Sequence, residues 1–345
     1  MTTTVERVHS GARWRDLAWV AWRQRRLLIL TTAVLAVALV AWSLWLYAKV
    51  GDAPHCVSGR RCDGEAIGAW TDQMQNQGQL LFAALAAFSG LLAAFWGAPV
   101  VSREFEQRTY QWAWTQDVSL RRWLGVRVLL FGGVIALSSA ITGTAASMLW
   151  TRLSDAGYQP NLIDDRLGFE FSPSVQLGYA VFGFALGLAL GALTRHTQIA
   201  LGSTVLVLGA TRLLIGLFAR PLPFFTPLRE VWPVTGSRTG IPGVSLQQTM
   251  FLSPGLLDRA GNVVSYDSPV ARACYNAATA PSETDLQGIE DRCLLDHGLV
   301  QRFFDYQPID RLTTLRLTET AVYLVLAAAL FALTWLRLRK SVAAF

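Results

Sequence analysis

Apolar runs long enough to cross a lipid bilayer recur six times in this chain, and no other feature limits its fold as strongly. A hydrocarbon core of about 30 Å at about 1.5 Å of rise per helical residue needs about 20 residues with almost no charge. Residues 27–47, 80–101, 128–150, 175–194, 199–218 and 318–336 meet that requirement, and only Arg212 and Glu319 interrupt them. Backbone amides inside lipid must bond within their own segment, so runs of this kind are read as helices. The expected fold class is an all-α polytopic membrane protein with six transmembrane helices.

Composition agrees. Charged residues make up 16% of the chain, against about 25% in soluble domains. The net charge of +6 could suggest a nucleic-acid binder, but the charges are sorted by loop rather than gathered on one patch. Lys49 and Lys340 are the only lysines, and neither follows a glycine. The Gly-Lys phosphate loop of a nucleotide hydrolase is therefore missing from the sequence.

Basic residues in short loops stay on the cytoplasmic side. With the amino terminus inside, residues 1–26, 102–127, 194–198 and 337–345 hold 15 basic and 5 acidic residues in 66 positions. The opposite side, residues 48–78, 152–174 and 220–316, holds 14 basic and 18 acidic residues in a much longer total. Both termini are expected in the cytoplasm. A cleaved signal peptide is the competing reading of the amino terminus, but the first apolar run has 21 residues and no small-x-small pattern after it. Residues 13–26 place Trp14, Leu17, Ala18 and Ala21 on one helical face among arginines. That pattern suits an amphipathic helix lying along the cytoplasmic membrane surface, over residues 1–26. A plain basic anchor built on Arg23, Arg25 and Arg26 is the other reading.

Helices in lipid approach closely through small residues. Gly183, Gly187 and Gly191 lie four apart in the fourth run, Ala86, Gly90, Ala94 and Ala98 in the second, and Ser139, Gly143 and Ser147 in the third. These stripes predict a tight bundle. Arg212 is the costly residue of the plan, at about 2.5–3.5 kcal/mol for an arginine in the middle of a span. Its guanidinium can snorkel outward past Phe218 to the headgroups, or turn inward to a functional or interface role. Glu319 is expected to be solvated at the outer surface.

All four cysteines, Cys56, Cys62, Cys274 and Cys293, fall on the predicted outer side, where disulfides persist. Three pairings are possible, and local closure, Cys56 with Cys62 and Cys274 with Cys293, assumes least about how the two loops dock. His55 beside Cys56 has no second histidine at ligand spacing, so no metal is expected. Residues 220–316 are long enough for a small disulfide-bearing extracytoplasmic domain between spans five and six. It opens on a proline-rich stretch that breaks the helix, and residues 283–297 have helical spacing of Leu286, Ile289, Cys293 and Leu294. Glu290, Asp305 and Asp310 read as acids on a solvated face. His9, His55, His196 and His297 are scattered over both sides, and no acid-base constellation can be drawn from them.

The loop at 98–130 is dense in aromatic and charged residues, which suits a short helix at the interface with Arg103, Glu104, Glu106 and Arg108 facing the cytoplasm. Ser119 can cap the helix that follows. The run Arg103-Glu104-Phe105-Glu106-Gln107-x-Thr109, then Trp114-Thr115-Gln116 and Ser119-x-Arg121-Arg122-Trp123-Leu124, resembles the loop after the second span of bacterial ABC-2-type transporter permeases. Tyr306-Gln307-Pro308-Ile309-Asp310-Arg311 before the last span is similar to that family too. Arg108 departs from it, since the family commonly has glycine before the threonine.

The resemblance implies the permease subunit of an ATP-driven exporter in the bacterial plasma membrane, working as a dimer. It implies no catalytic site in this chain, and a separate cytoplasmic ATPase that binds ATP and Mg. It assigns ATPase coupling to Arg103, Glu104, Glu106 and Thr109, with Arg121 and Arg122 as further candidates. The domain plan that results is an amino-terminal helix (1–26), spans one to five with a coupling loop at 102–127 (27–219), the extracytoplasmic domain (220–316), and span six with a basic tail (317–345). A membrane receptor or scaffold with a ligand-binding outer domain is the alternative from a different class. A membrane-embedded enzyme would place paired acids or Ser-His groups at the ends of its spans, and the sequence offers only Arg212 and Glu319 there. The transported substrate is not legible.

Overall fold

A computed structural model describes residues 14–51, 64–107, 119–155, 167–216, 226–235, 250–278 and 286–343. The chain divides into two compact units, one of residues 1–153, 170–214 and 316–345, the other of residues 154–169 and 215–315. Six helices are long and apolar enough to cross a membrane. They are α1 (Trp14–Gly51), α2 (Gly64–Glu106), α3 (Leu120–Asp155), α5 (Pro173–Thr194), α6 (Thr197–Leu214) and α9 (Ile309–Ala343), with the four-residue α4 (Leu167–Glu170) ahead of α5. This is a multi-pass membrane protein.

Helix α5 is the axis of the first unit, with two-thirds of its span buried against about one-fifth for α1, α6 and α9. Ser172 caps its start through its hydroxyl, and Pro173 fills the first helical position, where no amide is needed. The glycine stripe explains its centrality. A Cβ at Gly187 would stand 2.7 Å from the Ala98 nitrogen and one at Gly191 2.7 Å from the Ala98 oxygen, while one at Gly97 would stand 2.5 Å from the Phe184 oxygen. The α2 and α5 backbones therefore touch, as small-residue stripes allow. The third stripe serves another contact, with Gly143 of α3 against Pro173 and Gln176 at the start of α5.

Two sequence expectations change here. The basic segment from Trp14 is not a helix of its own but the leading turns of the 38-residue α1, about 57 Å of continuous rise. Its first residue is seated, since a Cβ at Gly125 of α3 would stand 3.1 Å from Trp14 Cη2. The reversal between spans four and five is shorter than the five-residue turn read from the sequence: Arg195 adopts a left-handed φ of 57° and donates its N–H to Gly191 O, and α6 begins at Thr197.

Cross-contacts define the two ends of this unit. At one end Arg25 of α1 reaches the Pro99 carbonyl of α2, Glu104 of α2 meets Arg127 of α3, Glu106 meets Thr197 of α6, and Arg121 of α3 stands over the Trp335 ring of α9. The described parts of the four arginine-rich segments thus share one end, called here the loop end. At the other end Arg152 of α3 lies over Tyr47 of α1, and the Phe82, Trp150 and Phe171 rings cluster.

The second unit corrects the all-α expectation. It carries a four-stranded antiparallel sheet, order β1-β4-β2-β3, from β1 (Leu228–Pro233), β2 (Met250–Asp258), β3 (Val263–Val264) and β4 (Leu299–Gln307). Gly255 of β2 lies opposite Phe303 of β4, and its missing side chain leaves room for the ring. Helices α7 (Pro269–Ala278) and α8 (Leu286–Asp296) are joined by the Cys274–Cys293 disulfide, and α8 occupies the stretch whose apolar spacing predicted a helix. Cys274 is fully buried with Val234, Leu256, Ala271, Leu294 and Leu299. Two acids read as solvated are paired instead, Asp305 with Arg229 through two bonds of 2.8 and 2.9 Å and Glu290 with Arg302 at 3.0 Å, while Asp310 is exposed. Bonds from the Asn262 side chain and backbone, with the Ala260 amide, hold the Asp258 carboxyl below its ordinary pKa.

Candidate coupling site and intramembrane polar cluster

The last turn of α2 carries the coupling candidates, and the structure separates them into two kinds. Arg103, Arg121 and Arg122 are exposed at the loop end. Glu104 is half-buried against a neighbouring helix, whereas Glu106 is exposed as expected and is bonded to a second helix as well. Glu104 Oε1 accepts from Arg127 Nη1 at 2.7 Å in a pair only 13% and 20% exposed, with the Arg127 guanidinium also over the Trp123 ring. Glu106 Oε1 accepts the Thr197 amide at 2.7 Å and Oε2 accepts the Thr197 hydroxyl at 2.7 Å. The physical reason is local: a carboxylate is held by an arginine or by the unsatisfied amides of a helix start more strongly than by water alone. Thr109, Arg108, Trp114, Thr115 and Gln116 lie outside the described residues, as do His9, His55, Cys56 and Cys62. At the start of α3 the Ser119 carbonyl accepts the Arg122 and Trp123 amides, which places Ser119 at the position preceding the helix.

Residues that the sequence did not single out complete the site. Arg127 ties α3 to the end of α2, and Ser102 Oγ lies 2.9 Å from Thr197 Oγ1, both residues being buried. Arg195 lies over the Phe105 ring, next to this clamp. Thr197 opens a helix after a turn, which was a legible signal for an amide in need of an acceptor. Glu106 as its acceptor, 91 residues away, was not.

A second polar cluster sits at the opposite end of the same unit. Arg212 does not snorkel: Nη2 bonds Glu170 Oε2 at 2.6 Å, Nη1 bonds Ala86 O at 2.9 Å, and the guanidinium lies 4.3 Å from the centre of the Tyr179 ring. Glu319 is not solvated either. It is buried and accepts the Tyr179 hydroxyl at 2.8 Å, while Tyr323 meets Tyr179 edge-on. Below this, Ser89 donates to Gln176, whose amide reaches the Glu170 carbonyl. Spans two, four, five and six are thus linked through one set of polar contacts, which repays the burial of the charges better than isolated groups could.

Among the described residues one group brings three metal-type donors within 4.8 Å, Cys274, Cys293 and His297. Its sulfurs are bonded to each other, so they offer no thiolate. The His297 Nδ1 lies 2.8 Å from the Cys293 carbonyl, as a histidine closing a helix end does.

The first unit is a helical bundle in which the described parts of the arginine-rich segments share one end. The model of the family described as ABC-2 membrane transporter related matches residues 28–220. The chain belongs to the ABC-2 membrane transporter related family. That match covers spans one to five, including the loop at 102–127. No curated protein and no solved structure matches the chain. The ABC-2 family supplies transport permeases that work with an ATPase partner and are typically not enzymes themselves, so this chain is a transport permease component.

Proposed function

We propose that this chain is the permease subunit of an ATP-driven exporter in the plasma membrane, with its loop end in the cytoplasm and a separate ATPase docked on it. The observation that carries this reading is the convergence at one end of the arginine-rich segments with the last turn of α2, where exposed Arg103, Arg121 and Arg122 share that end with acids already fixed to neighbouring spans. Arginines in short loops resist translocation, which supports a cytoplasmic position for that end and both termini. The unit bearing the Cys274–Cys293 disulfide then follows span five and precedes span six on the extracytoplasmic side, where a disulfide persists.

ATP and Mg belong to the partner, since the sequence has no phosphate loop. The arginines supply a cationic docking face for an acidic surface of that ATPase, and the acids transmit its movement to the bundle. Two copies of the permease, embedded in lipid, enclose the path. Purification of the full chain from native membranes tests the reading. A cytoplasmic ATPase should be retained, and charge reversal of Arg121 and Arg122 together should cut its retention at least fivefold. Purification without any ATPase, or full retention by the reversed variant, would refute the docking assignment.

A further inference from the structure

Helix α6 is tied to α2 at both of its ends. At the loop end, Glu106 holds the Thr197 amide and hydroxyl at 2.7 Å each, and Ser102 Oγ stands 2.9 Å from Thr197 Oγ1. Fifteen residues further along α6, Arg212 donates to the Ala86 carbonyl of α2 at 2.9 Å. Between the two ties Leu208 fills the notch at Gly90, where a Cβ would stand 3.0 Å from Leu208 Cδ2. On α2 the tied positions 86 and 102 are sixteen residues apart. The two ties therefore have nearly equal spacing along antiparallel helices, about 23 Å. Sliding α6 along α2 by one residue, about 1.5 Å, would break both at once.

The other face of α6 lacks such restraint. Ile199, Leu206 and Leu213 are exposed on it, and a Cβ at Gly202 or Gly209 would meet nothing of another described element within 4 Å. We propose that Ser102, Glu106 and Thr197 are positioning residues that make span five follow span two as one rigid body, so that displacement of the loop after span two reaches span five directly. This rests on the coupling function proposed above. Glu106 is the last residue of α2, and its carboxylate sits on the first amide of α6, where the helix end is positive. The bonds are charge-assisted and short.

The test uses the full chain in lipid nanodiscs with the ATPase that copurifies with it, supplied with Mg-ATP. Thr197→Val keeps the shape but removes the hydroxyl, and should lower ATP hydrolysis at least fivefold while the ATPase stays bound; Thr197→Ser should stay within twofold of wild type. In the double variant Ser102→Cys/Thr197→Cys the hydroxyl clamp is replaced by two thiols in disulfide range. Reduced, it should resemble Thr197→Val. Mild oxidation should form the cross-link and raise hydrolysis to within twofold of wild type under the same treatment, because a covalent tie restores joint motion. Both forms come from one preparation, so any folding loss is common to them. A cross-link that leaves the rate unchanged or lowers it, failure of the thiols to cross-link, or an unaffected Thr197→Val overturns the inference while the coupling function stands. Absence of a bound ATPase from the wild type removes both.

Discussion

Arg212→Met separates the two fates of the intramembrane arginine. The substitution keeps a long flexible stem and deletes the guanidinium, leaving Glu170 without the cation 2.6 Å away. The two side chains are 19% and 14% exposed, close to the buried limit, where removing one partner of an ion pair costs about 3–5 kcal/mol. An exposed pair would cost about 0–1 kcal/mol. At about 2 °C per kcal/mol for a large domain, the expected fall in unfolding midpoint is roughly 6–10 °C. Glu170→Met should produce a similar fall, because it strands the arginine. The double variant Arg212→Met/Glu170→Met should recover to within about 1 kcal/mol of wild type, since apolar groups of similar volume replace a buried pair at little cost. Tryptophan fluorescence of the purified chain during heating reads all three. A single variant within 1 °C of wild type, or a double variant whose loss equals the sum of the singles, refutes the buried pairing, and the first result would mean that the guanidinium reaches water.

Gly187→Ala should destabilise by about 1–3 kcal/mol through overpacking against Ala98, while Gly202→Ala, with nothing within 4 Å, should be neutral or better in the same melting assay. Replacing Cys274 and Cys293 by alanine opens a loop of 19 residues in separation, which on loop-closure entropy costs about 3 kcal/mol; in the native protein the fully buried Cys274 should react with maleimide only after denaturation and reduction. Glu104→Arg should lower ATP hydrolysis by the permease complex without preventing membrane insertion, because it sets two cations against each other. Adding Arg127→Glu should restore most of that loss, and a double variant as impaired as the single would show that the pair carries no coupling.

Long apolar runs and arginine placement made the six spans and their shared loop end legible, because both signals are local and need no knowledge of partners. The glycine stripe of span four was legible as a contact, though Ala98 as its target was not. The sheet escaped for a different reason. β4 reads LVQRFFDYQ, with residues on both faces buried in part, so it lacks the clean alternation of a half-exposed strand. Its partners begin 71 and 49 residues earlier in the chain, at Leu228 and Met250. The sequence left Arg212 open between the headgroups and the bundle interior, because Glu170 lies 42 residues away on a four-residue helix without any periodic signal. Glu104 looked solvated because a basic loop surrounds it in sequence, and only the folded arrangement brings Arg127 beside it, as it brings Thr197 beside the exposed Glu106.

The two-residue reversal at Arg195 and His196 has a bearing on how the chain enters its membrane. Span five is the least apolar of the six and carries an arginine, so it is the segment that an insertion machine would most readily leave in water. Its predecessor contains no charged residue. Joined by so short a linker, the pair must partition into lipid together as a helical hairpin, and the greasier member carries the reluctant one across.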